Sequence, residues 1–238
     1  MSKNDLIIVM PVYNEAGAIG AVISKWCHAL DALNMSYQIH AYNDGSRDAT
    51  STILAEIATK NADHVIAIDK VNSGHGPTIL SGYRAATAHT EWIFQIDSDD
   101  EMGPDAFPLL WENRAHYDFL VGKRDGRLQP LPRKVISLVS RMCVRIFYGK
   151  GIWDVNSPYR LMRATTFEPF YNAIPATTFA PNVILSGLAA SHHLRMFEIP
   201  VPQHDRTTGE VSIKKWKLLK AAIRSFAQTV RFSFTKEI

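Results

Sequence analysis

The sequence predicts an α/β domain built on a mainly parallel sheet flanked by helices, for three reasons. Up to about residue 122, short β-rich apolar runs alternate with amphipathic stretches of helical period. The helical stretches are long enough to cross over between parallel neighbours. Polar clusters (Asn14-Glu15, Asn43–Asp48, Asn72–Gly76 and Asp97–Glu101) follow four of these segments. Open parallel sheets bind ligands at the carboxyl ends of their strands, so the clusters mark one edge of the sheet as the candidate site.

In chain order, Leu6–Met10, Tyr37–Tyr42, His64–Ile68, Trp92–Ile96 and Asp118–Val121 read as strands, mostly buried ones. Between them Gly17–Leu33, Asp48–Lys60, Gly76–His89 and Pro104–Arg114 read as helices. Beyond residue 122 the rhythm changes. Pro132–Tyr148 sets Val135, Leu138, Val139, Met142 and Ile146 on one face and Lys134, Arg141 and Arg145 on another. A loop over Gly149–Tyr159, a helix from Pro181 and a strand over Leu194–Ile199 follow. Lys214–Arg231 repeats the basic amphipathic pattern, with Trp216, Leu219, Ile223, Phe226 and Val230 opposite Lys217, Lys220, Arg224 and Arg231.

The 238 residues fit one large domain with a C-terminal appendage, expected as 1–212 and 213–238. Cys27 and Cys143 lie in helical patterns and read as buried free thiols. The N-terminus lacks the apolar region of a signal peptide, and no apolar run is long enough to cross a bilayer. The expected location is the cytoplasmic face of a membrane, as a peripheral protein. Charge supports the membrane: residues 123–150 carry eight Lys or Arg against one acid, and 207–238 carry seven against two. The remainder holds 11 bases against 20 acids, so an acidic body carries two basic segments suited to an anionic surface. Nucleic acid is not the expected partner, because it leaves the acidic clusters unused.

Asp97-Ser98-Asp99 follows the strand Trp92–Ile96, where two carboxylates can enter one cleft. Such hard oxygen ligands suit Mg²⁺ or Mn²⁺ holding a diphosphate, and Glu101 offers a further ligand. Upstream, Pro11-Val12-Tyr13-Asn14-Glu15 follows the first strand and Asn43-Asp44-Gly45-Ser46-Arg47-Asp48 the second. No GxGxxG follows the first strand, which disfavours a dinucleotide-binding dehydrogenase.

These three segments in this order resemble the family 2 glycosyltransferases of GT-A fold. The resemblance implies that Pro11, Tyr13, Glu15, Asp44, Asn72, Gly74, Gly76, Asp97 and Ser98 bind a nucleotide sugar, GDP- or UDP-hexose. It also implies that Asp97 and Asp99 are catalytic and, with Glu101, hold the metal. The family commonly has two acids before the Gly-Ser, whereas this chain has Asn43-Asp44.

Asp154-Val155-Asn156-Ser157-Pro158-Tyr159-Arg160 resembles a segment of the polyprenyl-phosphate hexosyltransferases, the dolichol-phosphate mannosyltransferase group, with Asn156 and Pro158 as departures. The segment His204–Ser212 resembles the group's R-x-x-G-x-S stretch. By that resemblance Arg124, Ser157, Arg160, Arg206 and Ser212 contact the acceptor phosphate, with Arg160 also catalytic. His75 and His204 read equally as ligand contacts or loop residues. Many family members place a general base at the start of the helix before the last strand; here Phe179-Ala180-Pro181-Asn182 has no carboxylate. An anionic phosphate acceptor needs no base. The expected activity is inverting transfer of a hexose to a polyprenyl phosphate. Transfer to a saccharide or other hydroxyl, and a catalytically silent nucleotide-binding module, are the alternatives.

Overall fold

A computed structural model describes residues 4–125, 131–204 and 215–234. In chain order it comprises β1 (Asn4–Val12), α1 (Ile19–Asp31), β2 (Tyr37–Asp44), α2 (Thr50–Lys60), β3 (Val65–Lys70), α3 (His75–Thr87) and β4 (Thr90–Gln95). A 3₁₀ turn (Pro104–Ala106) then leads into α4 (Phe107–Asn113), followed by β5 (Phe119–Asp125) and α5 (Leu131–Phe147). The chain continues through β6 (Arg160–Arg163), α6 (Ala164–Ala173), α7 (Pro181–Ser191), β7 (Met196–Pro202) and α8 (Lys215–Ser233). Arg206 and Ser212, expected to contact phosphate, lie outside the described residues.

The seven strands form one sheet in the order β3-β2-β1-β4-β6-β5-β7. All pairings are parallel except those of β6, which runs against both β4 and β5. Central β1 is buried continuously from Leu6 to Val12, as a strand covered on both faces must be. Its side chains alternate between two cores. Leu6, Ile8 and Met10 join Trp26 and Leu30 of α1, Leu54 of α2 and Phe107 of α4. Ile7 and Val9 join Tyr83 of α3, Phe167 of α6 and Leu185 of α7. The aromatic centre of the first core is Trp26, Phe94 and Phe107, with centroids 5.4 and 4.9 Å from Phe94.

The segment expected as one helix over Pro104–Arg114 is divided, a 3₁₀ turn preceding the α-helical part. The larger departure is β6 with α6, whose sequence shows neither a strand nor a helix period. Arg160-Leu161-Met162-Arg163 is short and mostly buried, and α6 contains Pro169. At the other end of the chain, α8 packs against α5 and α7. Tyr148 Oη donates to the Thr229 carbonyl at 2.7 Å. Among the described residues, no helix is long and apolar enough to cross a membrane.

Candidate active site

The loops after β1 and β2 are stitched into one platform. The Asn14 amide donates to Ser46 Oγ (3.0 Å), and Asn14 Oδ1 accepts the Arg47 amide (2.8 Å). Asn14 holds a left-handed φ of 54° to make both bonds. The buried Glu15 donates its amide to Thr50 Oγ1 at 2.9 Å, and Asp48 accepts the Ala16 and Thr50 amides. Pro11 is buried beneath this platform, whereas Tyr13 stands 38% exposed.

Asp44 organises the next layer. Its carboxylate receives Lys70 Nζ and the amides of Ser73 (2.8 Å) and Gly74 (2.8 Å). Burial raises the Asp44 carboxyl pKa, but Lys70 and the two amides outweigh that and hold it below the usual carboxylate range. Asn72 Nδ2 donates to the Asp44 carbonyl at 2.6 Å. The glycines here are sterically required. Gly45 has φ 67°, and a Cβ on it would lie 2.9 Å from the Asn72 amide nitrogen. On Gly76 a Cβ would lie 2.1 Å from the Phe179 carbonyl oxygen. Asp44, Asn72, Gly74 and Gly76 are thus brought together, with the Asp44 carboxylate directed at its own loop. Asn43 is placed similarly: its Nδ2 donates to Asp69 at 2.6 Å, so a carboxylate reaches this position from β3.

The acidic cluster follows β4. Asp97 Oδ1 accepts Gln95 Nε2 at 3.0 Å and lies 3.0 Å from His75 Nε2. Burial raises the Asp97 carboxyl, but His75, Gln95 and Arg124 outweigh it and keep the group ionised below its ordinary range. Gln95 Oε1 in turn accepts Asn182 Nδ2 (2.7 Å) and Tyr83 Oη (2.7 Å) in the core. Ser98 is buried beside this network. Asp99 Oδ1 accepts the Glu101 amide (3.3 Å), and the Glu101 carboxylate accepts Gln203 Nε2 from the end of β7.

Asp97, Asp99, Glu101, Arg124, Pro158 and Gln203 line one small cavity. Across it, Arg124 makes a two-point pair with Asp154, Nε to Oδ2 at 2.8 Å and Nη2 to Oδ1 at 2.9 Å. No group of three or more His, Cys, Asp and Glu among the described residues is arranged to hold a metal, so the expected set of Asp97, Asp99 and Glu101 is not a closed cage. The donor chemistry still fits Mg²⁺ or Mn²⁺, which are commonly bound by one or two carboxylates plus substrate phosphate oxygens.

Two expected acceptor contacts lie elsewhere. Arg160 is fully buried; its Nε, Nη1 and Nη2 donate to the carbonyls of Ser157 (2.8 Å), Asn182 (3.1 Å) and Val155 (3.3 Å). Ser157 is likewise buried, with Oγ donating to the Gly122 carbonyl. Both brace the loop before β6 instead of facing the cavity; Arg160 joins two buried carbonyls of that loop to one at the start of α7, which takes a multi-donor side chain. Lys70, Gln95 and Gln203 were missed. Lys70 was legible in principle, since β2 and β3 pair Asp44 with Lys70 at adjacent strand ends. Gln203 was not, because its position depends on the pairing of β7 with β5.

A parallel-sheet edge thus carries an acidic pair at its strand ends, with an arginine across the same cavity. The model of glycosyl transferase family 2 matches residues 7–173, and the chain belongs to that family. It is 27% identical over 214 residues to the undecaprenyl-phosphate 4-deoxy-4-formamido-L-arabinose transferase of Klebsiella pneumoniae, covering 89% of this chain and 63% of that protein. To the transferase of the same description from Yersinia pestis it is 28% identical over 225 residues, covering 92% and 67%. The chain therefore spans about two thirds of the length of these relatives. Among solved structures, glucosyl-3-phosphoglycerate synthase of Mycobacterium tuberculosis with Mn²⁺, UDP and phosphoglyceric acid matches with TM-score 0.68 at 14% identity, over 98% of this chain and 80% of that one. A mannosyltransferase of Pyrobaculum calidifontis with GDP-Man and Mn²⁺ matches with TM-score 0.64 at 14% identity, over 98% and 71%. These likenesses establish the fold as GT-A-like.

Proposed function

We propose that this chain is a metal-dependent inverting glycosyltransferase that moves a hexose from a GDP- or UDP-sugar to a polyprenyl phosphate at a membrane surface. One observation carries the reading: Asp97, Asp99 and Glu101 share a cavity with Arg124. An acidic wall suits a divalent cation with its diphosphate, and a guanidinium suits an incoming phosphate. When bound, Mg²⁺ or Mn²⁺ supplies positive charge against the departing nucleoside diphosphate.

The chain's own residues do the positioning. In this reading Tyr13 faces the nucleotide from the platform formed by the loops after β1 and β2, and Lys70 with Asp44 fixes the loop into α3, whose first turn approaches the donor. His75 and Gln95 hold Asp97 ionised and oriented. Arg124 exchanges part of its pairing with Asp154 for the acceptor phosphate. A phosphate oxygen attacks the anomeric carbon while the bond to the diphosphate breaks on the opposite side, so one displacement inverts configuration.

The start of α7 supports a phosphate acceptor over a hydroxyl. Asn182 is buried there and directed at Gln95 and Tyr83, and so offers no base to the cavity. The relatives' named acceptor, undecaprenyl phosphate, supports the same choice. The placement on a membrane follows from the acceptor, with the peripheral, cytoplasmic-face location and the 213–238 segment as the interface proposed alongside it.

The test incubates the protein and Mn²⁺ with GDP- and UDP-hexoses and a nucleotide-linked 4-deoxy-4-formamido-L-arabinose, with and without undecaprenyl phosphate in detergent, detecting glycolipid by mass. Lipid-dependent product from one hexose donor, lost in Asp99→Ala, is expected; product from the formamido-arabinose donor alone would keep the lipid acceptor and overturn the hexose. Nucleotide binding without glycolipid across the panel would refute the lipid-phosphate acceptor.

A further inference from the structure

Three cations surround one half-exposed indole beside the candidate active site. Arg141 Cζ stacks 3.7 Å from the Trp153 ring centroid, and Lys123 Nζ and Arg145 Cζ each lie 5.7 Å from it. Arg141 Nε also donates to the Trp153 carbonyl at 3.1 Å, which fixes the stack. Trp153 itself is 46% exposed. The loop is held from the other side by Glu198, whose carboxylate accepts the Trp153 and Asp154 amides. Burial first, and the neighbouring Arg145 charge second, pull the Arg141 guanidinium below its ordinary range against the opposing carboxylates of Asp154 and Glu198.

The surroundings specify what such a cage receives. Of the twelve exposed large apolar side chains among the described residues, eight lie on α5, α8 or the loop carrying Trp153, and Phe234 directly follows α8. Leu138, Met142 and Ile146 recur every fourth residue on α5, and Arg141 and Arg145 form the adjoining ridge. Ile223 and Phe226 of α8 are exposed, as is Phe234 just past its end, which meets Phe147 of α5 at 6.1 Å between centroids. An apolar face bordered by arginines and an exposed tryptophan matches the boundary between acyl chains and headgroups.

We propose that Lys123, Arg141 and Arg145, gathered around Trp153, form a headgroup site for the phosphate of an anionic bilayer lipid, which seats the α5–α8 face on the membrane. The inference rests on the membrane-surface reading above and deepens it by naming the docking residues. The cage adjoins the cavity: Lys123 precedes Arg124, and Trp153 precedes Asp154. Seating the cage on headgroups therefore brings the end of β5 that carries Arg124 to the bilayer surface.

The full chain would be floated with vesicles of phosphatidylcholine, with and without phosphatidylglycerol. Arg141→Gln/Arg145→Gln is expected to weaken binding to the anionic vesicles about 30-fold and to change binding to the neutral ones little. Arg141→Lys/Arg145→Lys, which keeps the charge, retains the preference within about threefold. Thermal unfolding of each variant checks that the domain stays intact. Unaltered anionic binding in the Gln pair, equal loss on both vesicles, or a dimer broken by these substitutions without lipid preference would each overturn the proposal. Glycolipid synthesis in detergent is measured in parallel. Transfer that persists while the Gln pair still prefers anionic vesicles refutes the cage alone, and a lost preference without any transfer refutes only the enzymatic reading.

Discussion

Replacing Arg160 separates a structural role from an acceptor role at a residue where the chain's motif and its geometry disagree. Arg160→Met removes donors to three carbonyls. Two keep a partner: the Asn182 carbonyl lies in the first turn of α7, where it accepts within the helix, and Ser186 Oγ lies 2.8 Å from the Val155 carbonyl. The Ser157 carbonyl loses its donor, and a buried unsatisfied acceptor costs about 1–3 kcal/mol. The shorter methionine leaves a gap worth roughly 1 kcal/mol, while removal of a buried charge returns part of the total. The net expectation is a loss of about 2–3 kcal/mol, read from the midpoint of urea unfolding at unchanged slope. In detergent assays below the transition, the acceptor KM should stay within about twofold of the parent. An unchanged midpoint with an acceptor KM raised about tenfold would refute the bracing role and return Arg160 to the phosphate.

Gly76→Ala forces a Cβ to within 2.1 Å of the Phe179 carbonyl oxygen and 2.5 Å of that of Thr178. Because α3 and the 178–179 backbone must part, the variant should lose about 1–3 kcal/mol and weaken nucleotide affinity measured by calorimetry; parental values for both would contradict the close approach. His40 is held neutral by burial first and by His89 second, down to about 4 from an ordinary 6.5. A histidine with a lowered folded pKa contributes stability in full above its unfolded value, and that stability is lost as pH falls from about 6.5 towards 4, by roughly 3 kcal/mol. Urea midpoints across this window should fall with pH in the parent and fall less in His40→Gln; parallel slopes would contradict the assignment.

Much of the first half of the fold was legible because each element announces its period. Leu6–Val12 is an apolar run too short for a helix, Trp92–Phe94 gives β4 an apolar centre, and the flanking helices keep clear amphipathic spacing. The second half was harder. The four residues of β6 show no alternation, since three of the four are buried, and α6 is masked by Pro169. At the site, residue types at the strand ends pointed to the acidic cluster, Arg124 and the Asn72–Gly76 turn. What they did not convey is direction. Arg160 and Ser157 occupy a motif associated with phosphate yet point into the core, and Asp44 spends its carboxylate on Lys70 and two amides. Direction depends on register and burial, which are set by strands distant in the chain. Gln203 reaches Glu101 across 102 positions by that route.

The reversed strand β6 also fixes an order of assembly. Residues 4–95 supply β3, β2, β1 and β4 as a contiguous parallel block. Among the described residues β5 is not paired with β4, and the four residues Arg160–Arg163 join the two halves of the sheet. While a ribosome is still making the chain, the β4 edge stays open until residue 163 has emerged and folded back. An open apolar edge is a template for pairing with other chains. A chain interrupted before Arg160 would accordingly aggregate through Thr90–Gln95, and a chain released just after Arg163 could bridge β4 to β5.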